Sequence, residues 1–174
     1  MILQGKNIRL RPMKEDEIPL FYKWATSSDA TPYWYGDLYG TKIPSLEEFL
    51  DDWKPYYFDG SQPNKGRCFV ILIKDEAIGQ VNYNEINKRD SSVELDIIIA
   101  NDLHKGKGYG SDALKTLANY LFNNMNTKKC FIDVAEKNPR AKRAYEKAGF
   151  KMTKTFSKKG IKWNHMEFPI ENSD

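Results

Sequence analysis

Asn138-Pro139-Arg140-Ala141-Lys142-Arg143-Ala144-Tyr145-Glu146-Lys147-Ala148-Gly149-Phe150 is the stretch from which the fold can be worked outward. Pro139 suits the first position of a helix and Gly149 the left-handed residue that stops one, so a helix is expected from Pro139 to Ala148. Lys129 to Val134 before it reads as a strand. After it, Lys151 to Ser157 and Ile161 to Pro169 read as two strands paired across Lys158-Lys159-Gly160. Further upstream, Lys105-Gly106-Lys107-Gly108-Tyr109-Gly110-Ser111 separates a β-branched strand, Ser92 to Ala100, from a helix, Tyr109 to Asn123. That helix turns Leu114, Leu117, Leu121 and Phe122 inward. Glycines at a strand–helix junction let the backbone turn tightly, and the N–H groups there form a site for a phosphate or pyrophosphate. Lys105 and Lys107 add positive charge. The spacing is neither that of a P-loop nor that of the dinucleotide fingerprint.

The earlier half reads as a strand (Ile8 to Pro12), a helix (Glu15 to Thr26), a long loop (Ser27 to Pro44) and a second helix. That second helix opens on the capping box Ser45-Leu46-Glu47-Glu48 and ends before Pro55. Cys68 to Lys74 and Ala77 to Glu85 form a hairpin about Asp75-Glu76. Twelve of the 23 aromatic residues lie between Phe21 and Phe58, more than a small core needs, so some should line a pocket. With 174 residues, 40% hydrophobic and 29% charged, the chain is the size of one domain, 1–174. A net charge of +3, scattered along the chain, gives no footing for nucleic acid. No apolar run could cross a bilayer, and Met1 to Arg11 lacks a signal segment. Cys68 and Cys130 read as two reduced thiols, so a cytoplasmic protein is expected.

The glycine turn and the Asn-x-x-Ala-x-x-x-Tyr-x-x-x-Gly-Phe helix, in this order and spacing, resemble the GNAT superfamily of acetyl-CoA-dependent N-acetyltransferases. Lys105 stands where that family usually has Gln or Arg. The resemblance extends from Ile8 to Pro169. It implies an α/β (α+β) fold: a mixed sheet of about seven strands, splayed between two parallel ones and flanked by about four helices. It also implies acetyl-CoA as cofactor, held in the gap between Ser92–Ala100 and Lys129–Val134. The backbone of Ile98, Ile99 and Ala100 would pair with the pantetheine. Lys105, Gly106, Lys107, Gly108, Tyr109, Gly110 and Ser111 would surround the pyrophosphate, and Asn138 and Ala141 would meet the cofactor arm. Tyr145 would be the general acid for the leaving thiolate, a role suited to a phenol that keeps its proton at neutral pH.

Strand phase adds a reading of its own. Val93, Leu95, Ile97 and Ile99 form one apolar face, so Glu94 and Asp96 share the other. In the next strand Cys130, Ile132 and Val134 are the apolar face, which puts Asp133 opposite. Central strands seldom carry carboxylates without partners. No Arg or Lys in either strand is an obvious structural partner, and a cationic ligand is the simplest alternative.

In detail the chain is similar to the aminoglycoside 6′-N-acetyltransferases, through Leu95 to Asn101, Arg140 to Phe150 and the cluster Trp34-Tyr35-Gly36-Asp37. That similarity implies Asp96 as the catalytic carboxylate holding the reacting amine, and Asp133 holding a second ammonium. Trp34, Tyr35, Asp37 and Glu94 complete the acceptor site. No metal is implied. The expected partner is a small cationic amine, with the protein a monomer or homodimer. A polyamine, or a protein N-terminus such as that of a ribosomal protein, is the alternative acceptor, and a CoA-binding module without turnover is the alternative outside enzymes. His104 and His165 read as surface or packing residues. The lysines from Lys151 to Lys162 read as a solvated face or as contacts to the cofactor's 3′-phosphate.

Overall fold

The computed structural model describes residues 1–36 and 41–170. Its strands are β1 (Leu3–Gln4), β2 (Arg9–Pro12), β3 (Arg67–Ile73), β4 (Glu76–Tyr83), β5 (Ser92–Ile99), β6 (Lys129–Ala135), β7 (Lys151–Lys158) and β8 (Ile161–Pro169). They form one sheet in the order β1-β2-β3-β4-β5-β6-β8-β7. Every neighbouring pair is antiparallel except β5 and β6. The α-helices are α1 (Ile18–Thr26), α2 (Leu46–Asp52), α3 (Tyr56–Asp59), α4 (Tyr109–Asn124) and α5 (Pro139–Ala148). The architecture is the mixed, splayed sheet expected. Beyond the expected elements stand β1, too short to carry a periodicity, and α3, a single turn closed by Gly60 at φ +69°.

Helix α1 begins later than its sequence pattern indicated. Pro19 cannot donate the bond that a helix starting at Glu15 would require, so Glu15–Glu17 form a 3₁₀ turn and Pro19 sits in the first turn of α1. The Ser45 box is made as expected: Ser45 Oγ accepts from Glu48 N–H at 3.2 Å, and Glu48 Oε2 accepts from Ser45 N–H at 2.8 Å.

The sheet separates two cores. On one face Leu114, Leu117 and Leu121 of α4 pack on Ile8, Leu10, Phe69, Ile71, Val93 and Leu95. On the other, Phe21, Trp24, Phe49, Trp53, Tyr57 and Phe58 cover Cys68, Val70, Leu72 and Ile98. Strand β3 is buried on both faces, which is why it reads as a continuous apolar run. The aromatic excess therefore divides: most of these rings make the second core, while Tyr33, Trp34 and Tyr35 line a cavity. Gly79 lets β4 lie close on β5, since a Cβ there would lie 1.9 Å from the Ile98 carbonyl oxygen.

Two devices fix the helices that frame the cavity. The Asp112 carboxylate accepts the backbone N–H groups of Lys6, Asn7 and Ile8 at 3.0, 2.6 and 3.1 Å, tying α4 to the β1–β2 turn. Ser111 Oγ donates to the Ala144 carbonyl at 2.6 Å, tying α4 to α5.

Candidate active site

Strands β5 and β6 pair only from Ser92/Lys129 to Glu94/Phe131 and then part. A cavity of about 730 Å³ fills the gap between them. One end is the glycine turn. Gly106 and Gly108 hold φ of +74° and +84°, which a β-branched side chain rarely adopts, and Gly108 is the N-cap of α4. The N–H groups of Tyr109, Gly110 and Ser111 open α4 and have no partner within the helix. Gly110 serves differently: a Cβ there would rest on Ile97 and Ile99 at 3.7 and 3.8 Å, between helix and sheet.

Lys105, Gly106, Gly108, Tyr109, Gly110, Ser111, Asn138, Ala141 and Tyr145 line the cavity as the resemblance implied. Lys107 does not line it, and its side chain is exposed. The Ser111 hydroxyl is spent on Ala144, so only its backbone faces a ligand. Lys105 pairs with Asp102 at 2.8 Å and lies over the Tyr33 ring at 5.4 Å. Asn138 caps α5, its Oδ1 accepting from Ala141 N–H at 3.2 Å. Tyr145 projects from α5, with its ring 6.4 Å from that of Phe150.

The backbone expectation on β5 is out of phase. Ala100 donates to the Ile78 carbonyl at 3.0 Å and accepts from Asp29 N–H at 3.2 Å, and it does not line the cavity. Asn84 N–H donates to Glu94 at 3.0 Å, so the even residues of β5, Ile98 included, turn their backbone groups to β4. Ile97 and Ile99 therefore turn theirs to the gap, while Ile98 lines the cavity without presenting its backbone N–H and C=O to it. The Trp34 indole N–H already donates to the Ile97 carbonyl at 3.3 Å.

At the other end lie Glu94, Asp96 and Asp133, with Trp34 and Tyr35 beside them. Asp37 falls outside the described residues. Asp96 is held by donors from β4, which faces it across the pair Asn82/Asp96, and from Asn84 just past the end of that strand. Asn84 Nδ2 donates to Asp96 Oδ2 at 2.9 Å and Asn82 Nδ2 to the same oxygen at 3.3 Å. Behind them, Gln80 Nε2 donates to Asn82 Oδ1 at 3.2 Å, and Tyr57 OH to Asn84 Oδ1 at 2.8 Å. Gln80 and Asn82 are fully buried.

Asp133 has a partner that the sequence did not lead us to expect. His165 Nδ1, from the adjoining strand β8, lies 2.7 Å from Asp133 Oδ1. His165 is thus part of the acid cluster rather than a surface residue. His104 lines the cavity near the glycine turn, its Nε2 3.7 Å from Glu76. Three further cations missed in the sequence, Arg140, Arg143 and Lys147 of α5, line the cavity. Of the terminal lysines, Lys158 reaches it. Among the described residues no group of His, Cys, Asp and Glu is placed to hold a metal, and no helix is long and apolar enough to cross a membrane.

Burial, helped by Asp96 and Asp133, pushes the Glu94 carboxyl up to about 7. Burial likewise raises Asp96, opposed by the hydrogen bonds from Asn84 and Asn82 and helped by Asp133. A carboxyl raised on folding binds its proton more tightly in the folded chain. Its contribution to stability is therefore whole below the ordinary value of 4.5 and is lost as pH rises through about 7. The Glu94→Gln variant should accordingly melt higher than the parent at about pH 8, with the difference closing toward about pH 5. Thermal melts across that range check it.

The acetyltransferase (GNAT) domain family matches residues 7–151, most of the chain. The chain belongs to that family and is an acetyltransferase. Among curated relatives, the spermidine N(1)-acetyltransferase of Vibrio cholerae is 28% identical over 147 residues, covering 84% of this chain and 80% of that one. The aminoglycoside N(6′)-acetyltransferase type 1 of Klebsiella pneumoniae is 27% identical, covering 83% and 74%. Among solved structures, AAC(6′)-Ib in complex with ribostamycin and coenzyme A superposes with a TM-score of 0.75 at 23% identity, over 94% of each chain. The V. cholerae spermidine N-acetyltransferase with CoA and spermine gives 0.75 at 24%, over 95% of this chain and 96% of that one. These likenesses establish the fold.

Proposed function

We propose that residues 1–174 form one domain that transfers acetyl from acetyl-CoA to a primary amine of a small polycation, of the aminoglycoside or polyamine kind. The observation that carries this reading is that one cavity joins two opposite walls. One wall is cationic and rich in N–H groups, at the glycine turn and α5; the other is acidic, at Glu94, Asp96 and Asp133. The first suits a pyrophosphate, the second an ammonium.

Acetyl-CoA supplies the thioester carbonyl that the amine attacks. Ile97 and Ile99 offer backbone groups to its pantetheine arm, and the N–H groups of Tyr109 to Ser111, with Arg140 nearby, receive the phosphates. Asp96 holds the acceptor ammonium and takes or relays its proton, so that nitrogen carries a lone pair to the carbonyl carbon. As the carbon–sulfur bond breaks, Tyr145 gives a proton to the departing sulfur. Trp34 and Tyr35 give the acceptor a flat apolar flank. Both cysteines are buried, and burial raises both thiols, which supports neither as a nucleophile and is in keeping with a cytoplasmic setting.

The test is thiol release from acetyl-CoA across aminoglycosides, polyamines, monoamines and short peptides. Turnover led by the oligocationic amines supports the reading. Turnover led by peptides would move the acceptor to protein N-termini, and release with none of them would reduce the chain to a CoA-binding module.

A further inference from the structure

The His165 ring lies between two carboxylates: Nδ1 is 2.7 Å from Asp133 Oδ1, and Nε2 is 3.2 Å from Glu167 Oε1. An ionised carboxylate only accepts, so a ring that bonds to both donates from Nδ1 and from Nε2. The ring is packed 4.9 Å from that of Phe131 and is only 12% exposed. Asp133 and Phe131 come from β6, and Lys154 of β7 is the register neighbour on the other side. Lys129 Nζ lies 3.4 Å from Glu167 and shares that acid. Asp133 lines the cavity and His165 does not, so the histidine reaches an acceptor only through the aspartate.

We propose that His165 is a positioning residue that sets how many positive charges the acceptor brings: by holding Asp133 from behind, it supplies one of the cations that the acid wall otherwise draws from the substrate. The inference rests on the amine acetyl transfer proposed above. A wall of Glu94, Asp96 and Asp133 without this internal partner favours an acceptor with one more ammonium group. With His165 in place, Asp133 orients a neighbouring ammonium or hydroxyl and adds little attraction. Selection by charge count thus lies outside the contact surface.

The experiment compares KM and kcat for a monoamine, spermidine and a tetra-ammonium aminoglycoside in the unmodified protein, His165→Asn and His165→Lys. Asparagine is neutral and frees Asp133. KM for spermidine and the aminoglycoside should fall by about tenfold, one charge-assisted hydrogen bond's worth, with the monoamine KM and every kcat nearly unchanged. His165→Lys keeps a cation against Asp133 and should retain the unmodified KM pattern, so it tests the idea even if the asparagine variant does not fold. An unchanged spermidine-to-monoamine KM ratio in His165→Asn, an altered ratio in His165→Lys, or equal losses for all acceptors with a lower melting temperature would overturn the inference alone. Absence of thiol release by the unmodified protein with every amine would overturn the reading beneath it, and this inference with it.

Discussion

Tyr145→Phe should lower kcat by about 10²- to 10⁴-fold, the span over which a positioned general acid acts, while leaving the affinity for acetyl-CoA close to unchanged. The aromatic ring packs near Phe150 on the face of α5 that lines the cavity, and phenylalanine preserves that packing. Only the hydroxyl is lost. A residue that merely packed would give a variant with ordinary turnover and an unchanged melting temperature. Single-turnover thiol release, with acetyl-CoA binding measured separately by calorimetry, divides the two. A normal kcat would remove Tyr145 from the mechanism.

Asp96→Asn is the second large effect expected. A neutral amide in place of the carboxylate accepts no proton and holds an ammonium poorly, so kcat should fall for every acceptor, mono- or polycationic, by about 10²-fold or more. Raising pH should restore part of the loss, because more of the free amine arrives without its extra proton. The parent's own acid limb should lie above the usual carboxylate range, since burial raises Asp96. Activity should fall as pH drops through that raised value, where the carboxylate takes a proton. Asn84→Leu removes the 2.9 Å donor to Asp96 and should move the limb further up, whereas Asp96→Asn should abolish it. The same pH profile in parent and Asp96→Asn would place the base elsewhere.

Most of the fold could be read from the chain because its elements announce themselves locally. Pro139 and Gly149 bracket α5, the Ser45 box opens α2, and the alternation in Val93 to Ile99 fixes which face of β5 carries the acids. The site could be read where one strand or one turn determines it: the glycine turn, Glu94, Asp96 and Asp133. What escaped depends on which strands become neighbours. His165 lies 32 residues from Asp133, and only the insertion of β8 between β6 and β7 brings them together. The backbone phase of β5 was missed because it depends on which residues pair with β4, and side-chain alternation says nothing of that. The row Gln80, Asn82 and Asn84 did carry a signal. Three amides at every second position of a strand resemble a wet face, but an acid row on the adjoining strand makes such a face a site. The cations of α5 were hidden by their ordinary appearance, since Arg and Lys on a helix read as solvated.

Thr127, buried with its hydroxyl unpaired, and the exposed apolar residues Leu46 and Leu50 of α2 play no part in this account. The chemistry proposed for this chain lies in the splayed gap. Its opposing walls explain why a basic turn and an acidic cluster occur in one small chain.

The most direct measurement of the central claim is kcat/KM for a series of linear amines carrying one, two, three and four ammonium groups, at fixed acetyl-CoA and ionic strength. In the parent kcat/KM should rise from the monoamine to the oligoamines through KM, added salt should erode the gain, and the further gain expected of His165→Asn should vanish when Asp133→Asn is added to it. A series that is flat from one to four ammonium groups, or one in which a neutral-flanked peptide amine outruns them all, would contradict it.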